Sequence, residues 1–303
     1  MLDKRYELRK QIRSVRWMIF WVVLAQFAAE ITVEAVVSFM KNPPHEYIQI
    51  AIVEILAIGV PIVVYARSAW RNYGRDAKEE FWLNSCKPQF FVLAGILGVC
   101  GQFVMILLNM PANLYISEVL GKTSQDAIPM ALTGMEVLFG IFAVVIIPAI
   151  LEEFWMRGII FCAYNRSNTV AAIFFTSLIF ALLHMRVNEI AGFFFMGVVA
   201  SVVLIKSNSL YVAMVYHAFS NLTALLLGGF ILPYVIDHLW IIFATAVVLF
   251  VGVLFLLLIQ KNKVTVNRAF KPGRLIATSI ISMPVLFSIA VVIVKYLLIN
   301  VIG

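Results

Sequence analysis

Charge is scarce in this chain: of 303 residues only 13% are Asp, Glu, Lys or Arg, while 63% are hydrophobic. A soluble domain is about a quarter charged and about half apolar, so the composition excludes one and reads as a multi-pass membrane protein. Cysteine is scarcer still. The three present, Cys86, Cys100 and Cys162, are an odd number scattered through or beside apolar runs, which excludes a disulfide framework and a CxxC metal clip. No internal repeat is strong enough to suggest a transporter built from inverted halves.

What is abundant is apolar sequence of membrane-crossing length. Nine runs approach the ~20 residues that a bilayer helix needs, at about 17–39, 48–66, 89–109, 131–163, 168–184, 189–205, 209–229, 238–259 and 277–300. The expected fold is therefore all-α, a polytopic membrane helix bundle. The fourth run is over-long and contains Pro148, which predicts a kink or a continuation beyond the membrane face. The fifth and sixth runs are short and joined only by 185-MRVN-188, which predicts a tight antiparallel pair.

Lysine and arginine set the orientation. The segment 1–16 carries six of them, 67–88 carries five (Arg67, Arg71, Arg75, Lys78, Lys87) and 260–274 another five, with Arg166 and Lys206 on the same side. The opposite loops hold Lys41, Lys122 and Arg186. This alternation places the N-terminus in the cytoplasm and Gly303 outside. The net charge of +7 then faces anionic inner-leaflet lipid and calls for no nucleic acid. The first run reads as a retained anchor. The loop 67–88, with Trp70, Tyr73, Phe81 and Trp82 among its charges, is expected along the membrane interface.

Against that background, 148-PAILEEFWMRGIIF-161 stands out. Each charge near a helix centre costs roughly 2.5–3.5 kcal/mol on insertion, so Glu152, Glu153 and Arg157 together cost on the order of 8 kcal/mol. Glu153 and Arg157 are spaced i,i+4 and share a helical face, so they can pair. Glu152 points elsewhere without a local partner, and an unpaired carboxylate in a membrane marks a functional site by default. Of four histidines, His45 and His238 lie near run ends, whereas His184 and His217 lie within runs. At 1.5 Å per residue from the cytoplasmic ends, Glu152 lies roughly 20 Å deep, His184 roughly 24 Å, Asn221 roughly 18 Å and His217 roughly 12 Å. Three helices thus bring a carboxylate, two imidazoles and an amide toward one layer.

Glu152-Glu153-x-x-x-Arg157, Phe180-x-x-x-His184 and His217-x-x-x-Asn221 together resemble the motif set of the CPBP (Abi) intramembrane proteases. That family includes the type II CAAX prenyl endopeptidases and bacterial members linked to bacteriocin immunity and peptide processing. The resemblance covers about 135–230. It implies an endopeptidase in which Glu152 is the general base for a water held by His184, and His217 and Asn221 donate to the oxyanion. Glu153 and Arg157 would orient the helix, and Phe180 would pack. General chemistry agrees, since amide hydrolysis needs a base poised near neutrality and preorganised donors in a low-dielectric site.

Other chemistries fit less well. No HExxH occurs, 45-HEYIQ-49 lacking the second histidine, so the preferred reading has no cofactor. Zinc stays open as an alternative, with Glu152, His184 and His217 as its ligands. No GxSG or GxSxG occurs, and the four aspartates, Asp3, Asp76, Asp126 and Asp237, all fall outside span centres. Two non-peptidase readings remain: a membrane scaffold that has kept the fold, and a proton-coupled transporter using Glu30, Glu34 and Glu54. The chain divides into 1–130 with three spans and the interfacial loop, a four-span core at 131–230, and a C-terminal hairpin at 231–303. The expected protein is a multi-pass cell-membrane endopeptidase whose partners are lipid and a peptide or lipidated-protein substrate, with a cavity opening toward the cytoplasm. Its oligomeric state is left open.

Overall fold

The computed structural model describes residues 2–73, 78, 81–120, 134–228, 238–261 and 264–297. Asp76, Asp126, Asp237, Lys122 and Gly303 lie outside the described residues, as do the start of the fourth run at 131–133 and the ends of the seventh and ninth. Among the described residues all nine apolar runs are predominantly helical and no strand occurs; an isolated bridge joins Asn168 to Arg268.

Among the described residues, six helices are long and apolar enough to cross a bilayer: Tyr6–Ser38, Glu46–Arg67, Gln89–Glu118, Gly134–Asn165, Val187–Ser207 and Leu239–Leu258. The ninth run is broken into Pro272–Ile280 and Met283–Lys295, bent by 61°, and adds a seventh span if counted as one. The expectation of nine spans therefore meets six or seven. The shortfall lies in the fifth and seventh runs, Thr169–Leu183 and Leu210–Leu226, of 15 and 17 residues. At 1.5 Å per residue these α-helical stretches span ~22–26 Å against a ~30 Å hydrocarbon core, with residues 227–228 of the seventh run continuing as a wider helical turn. The sixth run, expected to be short, gains a 3₁₀ turn at Val187–Glu189 and reaches 21 residues.

From Gly134 to Asn165 the fourth run is one continuous helical rod, and Pro148 remodels it locally. Two π-helical stretches, Ile141–Ile146 and Phe154–Phe161, bracket the α-helical Ile147–Glu153. Proline has no N–H for the carbonyl four residues back, here that of Val144. A wide turn just before the proline accommodates that loss, and single π-turns recur at functional sites.

Polar contacts gather the basic loops at one end of the bundle. There Arg16 donates to Ser279 and Tyr164, Arg166 to Gln11, Asn168 to the Phe270 carbonyl, and Lys206 to the Leu258 and Gln260 carbonyls. Part of the 67–88 loop also folds into this end. Phe81 is buried against Phe154, and Trp82 sets its ring against Phe161 while its carbonyl accepts from Leu210 N–H. Phe81 thus belongs to the core and Trp82 packs against it half-buried; the Trp70 and Tyr73 side chains lie outside the described residues.

Small residues set the helix spacing, as is usual where lipid supplies no hydrophobic drive between helices. A Cβ on Gly98 would lie 2.4 Å from the Tyr216 carbonyl oxygen, so the third run packs backbone to backbone on the seventh. A Cβ on Gly197 would lie 2.7 Å from Ser177 Cα, which fixes the sixth run on the fifth.

Candidate functional site

The i,i+4 spacing of Glu153 and Arg157 produces the expected pair. Arg157 Nη1 donates to Glu153 Oε1 at 2.8 Å, and both side chains are wholly buried. Each then reaches beyond its own helix. Arg157 Nη2 donates to the Gly197 carbonyl of the sixth run at 3.0 Å, and its guanidinium lies 4.9 Å from the Phe180 ring centroid. Glu153 Oε1 also meets His217 Nδ1 of the seventh run at 2.9 Å. The pair is a junction of four helices, more than the alignment device that the sequence suggested.

That junction fixes the histidines. His184 caps the fifth helix, with Met185 in the left-handed region at φ 55° directly after it. Its Nδ1 lies 2.8 Å from the Phe180 carbonyl, which can only accept, so Nδ1 carries the hydrogen. His217 Nδ1 likewise faces a carboxylate already engaged by arginine, so it too carries the hydrogen. In the neutral ring both Nε2 atoms are then bare. They lie 3.9 Å (His184) and 4.0 Å (His217) from Glu152 Oε2. That oxygen is buried and has no hydrogen-bond partner among the described residues. The gaps exceed a direct hydrogen bond, but a water can sit off each line within reach of both ends. The ring of Phe193 stacks on His184 at 3.8 Å and holds it from the sixth run.

Asn221 stands in the same seventh helix, and its Nδ2 donates to the Val144 carbonyl at 2.9 Å. This is the carbonyl left without its α-helical donor by Pro148. One N–H of the amide thus ties the seventh run to the fourth, and the second remains. The structure brings Glu152, His184 and His217 together directly, sets Glu153, Arg157 and Phe180 behind them, and puts Asn221 along the same wall.

Glu152, His184, Phe180 and Asn221 line a cavity of about 600 Å³. The amides Gln26, Gln102, Asn109 and Asn113 also line it, as does Glu54, whose Oε2 is buried without a partner among the described residues. Sequence reading passed over these amides and Phe193. The available signal was amide side chains inside apolar runs, where an unsatisfied polar group is costly. The cavity lining runs from Glu152 to Arg186, Glu189, Asn113 and Gly228, at the end of the bundle away from the basic loops. Of the transporter carboxylates only Glu54 faces this space: Glu30 pairs with Lys295, and Glu34 is exposed.

With this geometry in place, residues 134–223 match the family model described as type II CAAX prenyl endopeptidase Rce1-like. That description is consistent with the CPBP resemblance of the three motifs. No curated protein and no solved structure matches the chain. The matched segment contains every motif residue from Glu152 to Asn221. The cavity walls from Gln26, Glu54, Gln102 and Asn109 lie outside it. The chain is a multi-pass membrane protein with the matched segment at its centre.

Proposed function

We propose that the chain is an intramembrane endopeptidase that hydrolyses a peptide bond with a water activated by Glu152. Its substrate is a CAAX-type prenylated C-terminus or a membrane-associated peptide precursor. The observation that carries this reading is the buried, partnerless Glu152 Oε2 facing two bare imidazole nitrogens at 3.9 and 4.0 Å. Glu54 Oε2 and Glu153 Oε2 are buried in the same way, but Glu152 Oε2 alone faces both bare imidazole nitrogens, a convergence for which a scaffold has no use.

In this mechanism Glu152 takes one proton from the water while His184 orients it through Nε2. The water oxygen attacks the carbonyl carbon, and the π electrons move to the carbonyl oxygen. The free N–H of Asn221 donates to that oxyanion, a contact of the kind worth ~3 kcal/mol. The proton then passes from Glu152 to the amide nitrogen as the C–N bond breaks, leaving an acid and an amine. His217 can donate to the oxyanion only when Nε2 holds a second proton, since its Nδ1–H is committed to Glu153.

We propose water activation without metal. Tetrahedral zinc ligands at ~2.0–2.1 Å stand roughly 3.3–3.4 Å apart. The Glu152–His184 and Glu152–His217 gaps are about half an ångström wider. A zinc ion would need both rings to move inward.

The test is mass spectrometry of membrane and released peptides from cells carrying wild type, Glu152→Gln or no protein. Glu152→Gln should match the null strain while accumulating to wild-type levels of folded protein. A Glu152→Gln strain with the wild-type peptide pattern would refute the mechanism and leave the scaffold reading.

A further inference from the structure

We infer that the cavity is entered from the membrane face opposite the cytoplasm, and that its substrate is a polypeptide segment exposed on that face. The inference rests on the peptidase reading above and narrows it to exported or membrane-anchored precursors. Two independent observations carry it.

The first is the partition of charge between the two ends. The contacts of Arg16, Arg166 and Lys206, with the Asn168–Phe270 bond, collect the N-terminal segment and the loops around 166, 206 and 260–271 into one surface. Among the described residues, Lys41, Arg186 and Lys295 are the basic side chains near the other end. A basic side chain near anionic inner-leaflet lipid is worth about 1 kcal/mol, so the crowded end belongs in the cytoplasm by several such increments.

The second is the direction of the cavity. Every lining residue near a helix end, Ile50, Asn113, Arg186, Glu189 and Gly228 among them, is at the end away from the basic surface. The path from Glu152 toward the basic surface is filled. From Trp155 to Asn165 every residue of the fourth helix is buried. Eleven such residues make a plug roughly 16 Å deep at 1.5 Å per residue, closed below by Phe81 and Trp82. Water and a peptide can therefore reach Glu152 from one face, and charge assigns that face to the outside.

The test combines sidedness with substrate location. In a Cys86→Ser background, Val187→Cys at the 185–189 turn, Ala224→Cys in the cavity wall and Lys271→Cys on the basic surface are treated in intact cells with a membrane-impermeant maleimide. Val187→Cys and Ala224→Cys should label directly, and Lys271→Cys only after permeabilisation. Labelling of Lys271→Cys from outside, or of Val187→Cys only after permeabilisation, would overturn the inference. The same pattern is expected in a Glu152→Gln background, so this arm does not depend on catalysis. In the peptide comparison, cleavage sites lost in Glu152→Gln cells should fall in segments outside the cytoplasm. Loss confined to cytoplasmic C-termini would overturn the inference and leave the peptidase reading standing, whereas no lost cleavage would overturn the peptidase reading and the substrate assignment together, leaving the entry face to the labelling.

Discussion

Replacing Arg157 with methionine removes a charge that is wholly buried and serves three groups: Glu153, the Gly197 carbonyl and the Phe180 ring. Methionine fills a similar volume, so the loss is electrostatic more than steric. It strands the Glu153 carboxylate with only the His217 Nδ1–H as partner. Breaking a buried pair from one side costs about 3–5 kcal/mol, because one charge stays behind uncompensated. At about 1.4 kcal/mol per decade, the folded-to-unfolded ratio should fall by roughly two to four orders of magnitude. The companion Glu153→Gln with Arg157→Met removes both charges while keeping an acceptor for His217, and should recover most of that loss. The assay is the fraction of monodisperse protein surviving a heating series in detergent, for wild type, both single variants and the double. If Arg157→Met survives as wild type does, or if the double variant loses the sum of the two singles, the argument from a stranded charge is refuted.

Gly197→Ala places a methyl 2.7 Å from Ser177 Cα and should cost about 1–3 kcal/mol by overpacking. It should also displace the carbonyl that Arg157 uses, and equal heat survival would show that the fifth and sixth runs can separate freely. Asn221→Ala removes both the tie to Val144 and the proposed oxyanion donor, so activity should fall by roughly 10²–10³-fold with a modest drop in heat survival. Unchanged cleavage by Asn221→Ala would remove it from the mechanism. Chelator treatment and dialysis should leave cleavage by purified wild type unchanged, and zinc-dependent recovery after chelation would show that the two histidines do close on a metal.

The local parts of this site were legible in sequence because they depend only on helical period and cost. The Glu153–Arg157 pair follows from an i,i+4 spacing, and the peculiarity of Glu152 from the expense of a lone carboxylate in an apolar run. The all-helical, membrane-embedded character followed from composition and run length, and the basic end from the distribution of Lys and Arg. Contacts between distant segments were not legible. That Asn221 answers a carbonyl freed by Pro148, that Phe193 stacks on His184, and that Glu153 reaches His217 depend on how helices dock. Counting rise per residue put these groups in one layer but gave no rotation about each axis. It therefore could not say which end of the fourth helix is plugged. The sequence determined which residues had to be shielded from lipid; only the tertiary packing decided which end of the bundle they open to, because side-chain volume from Trp155 to Asn165 fills one direction and leaves the other free.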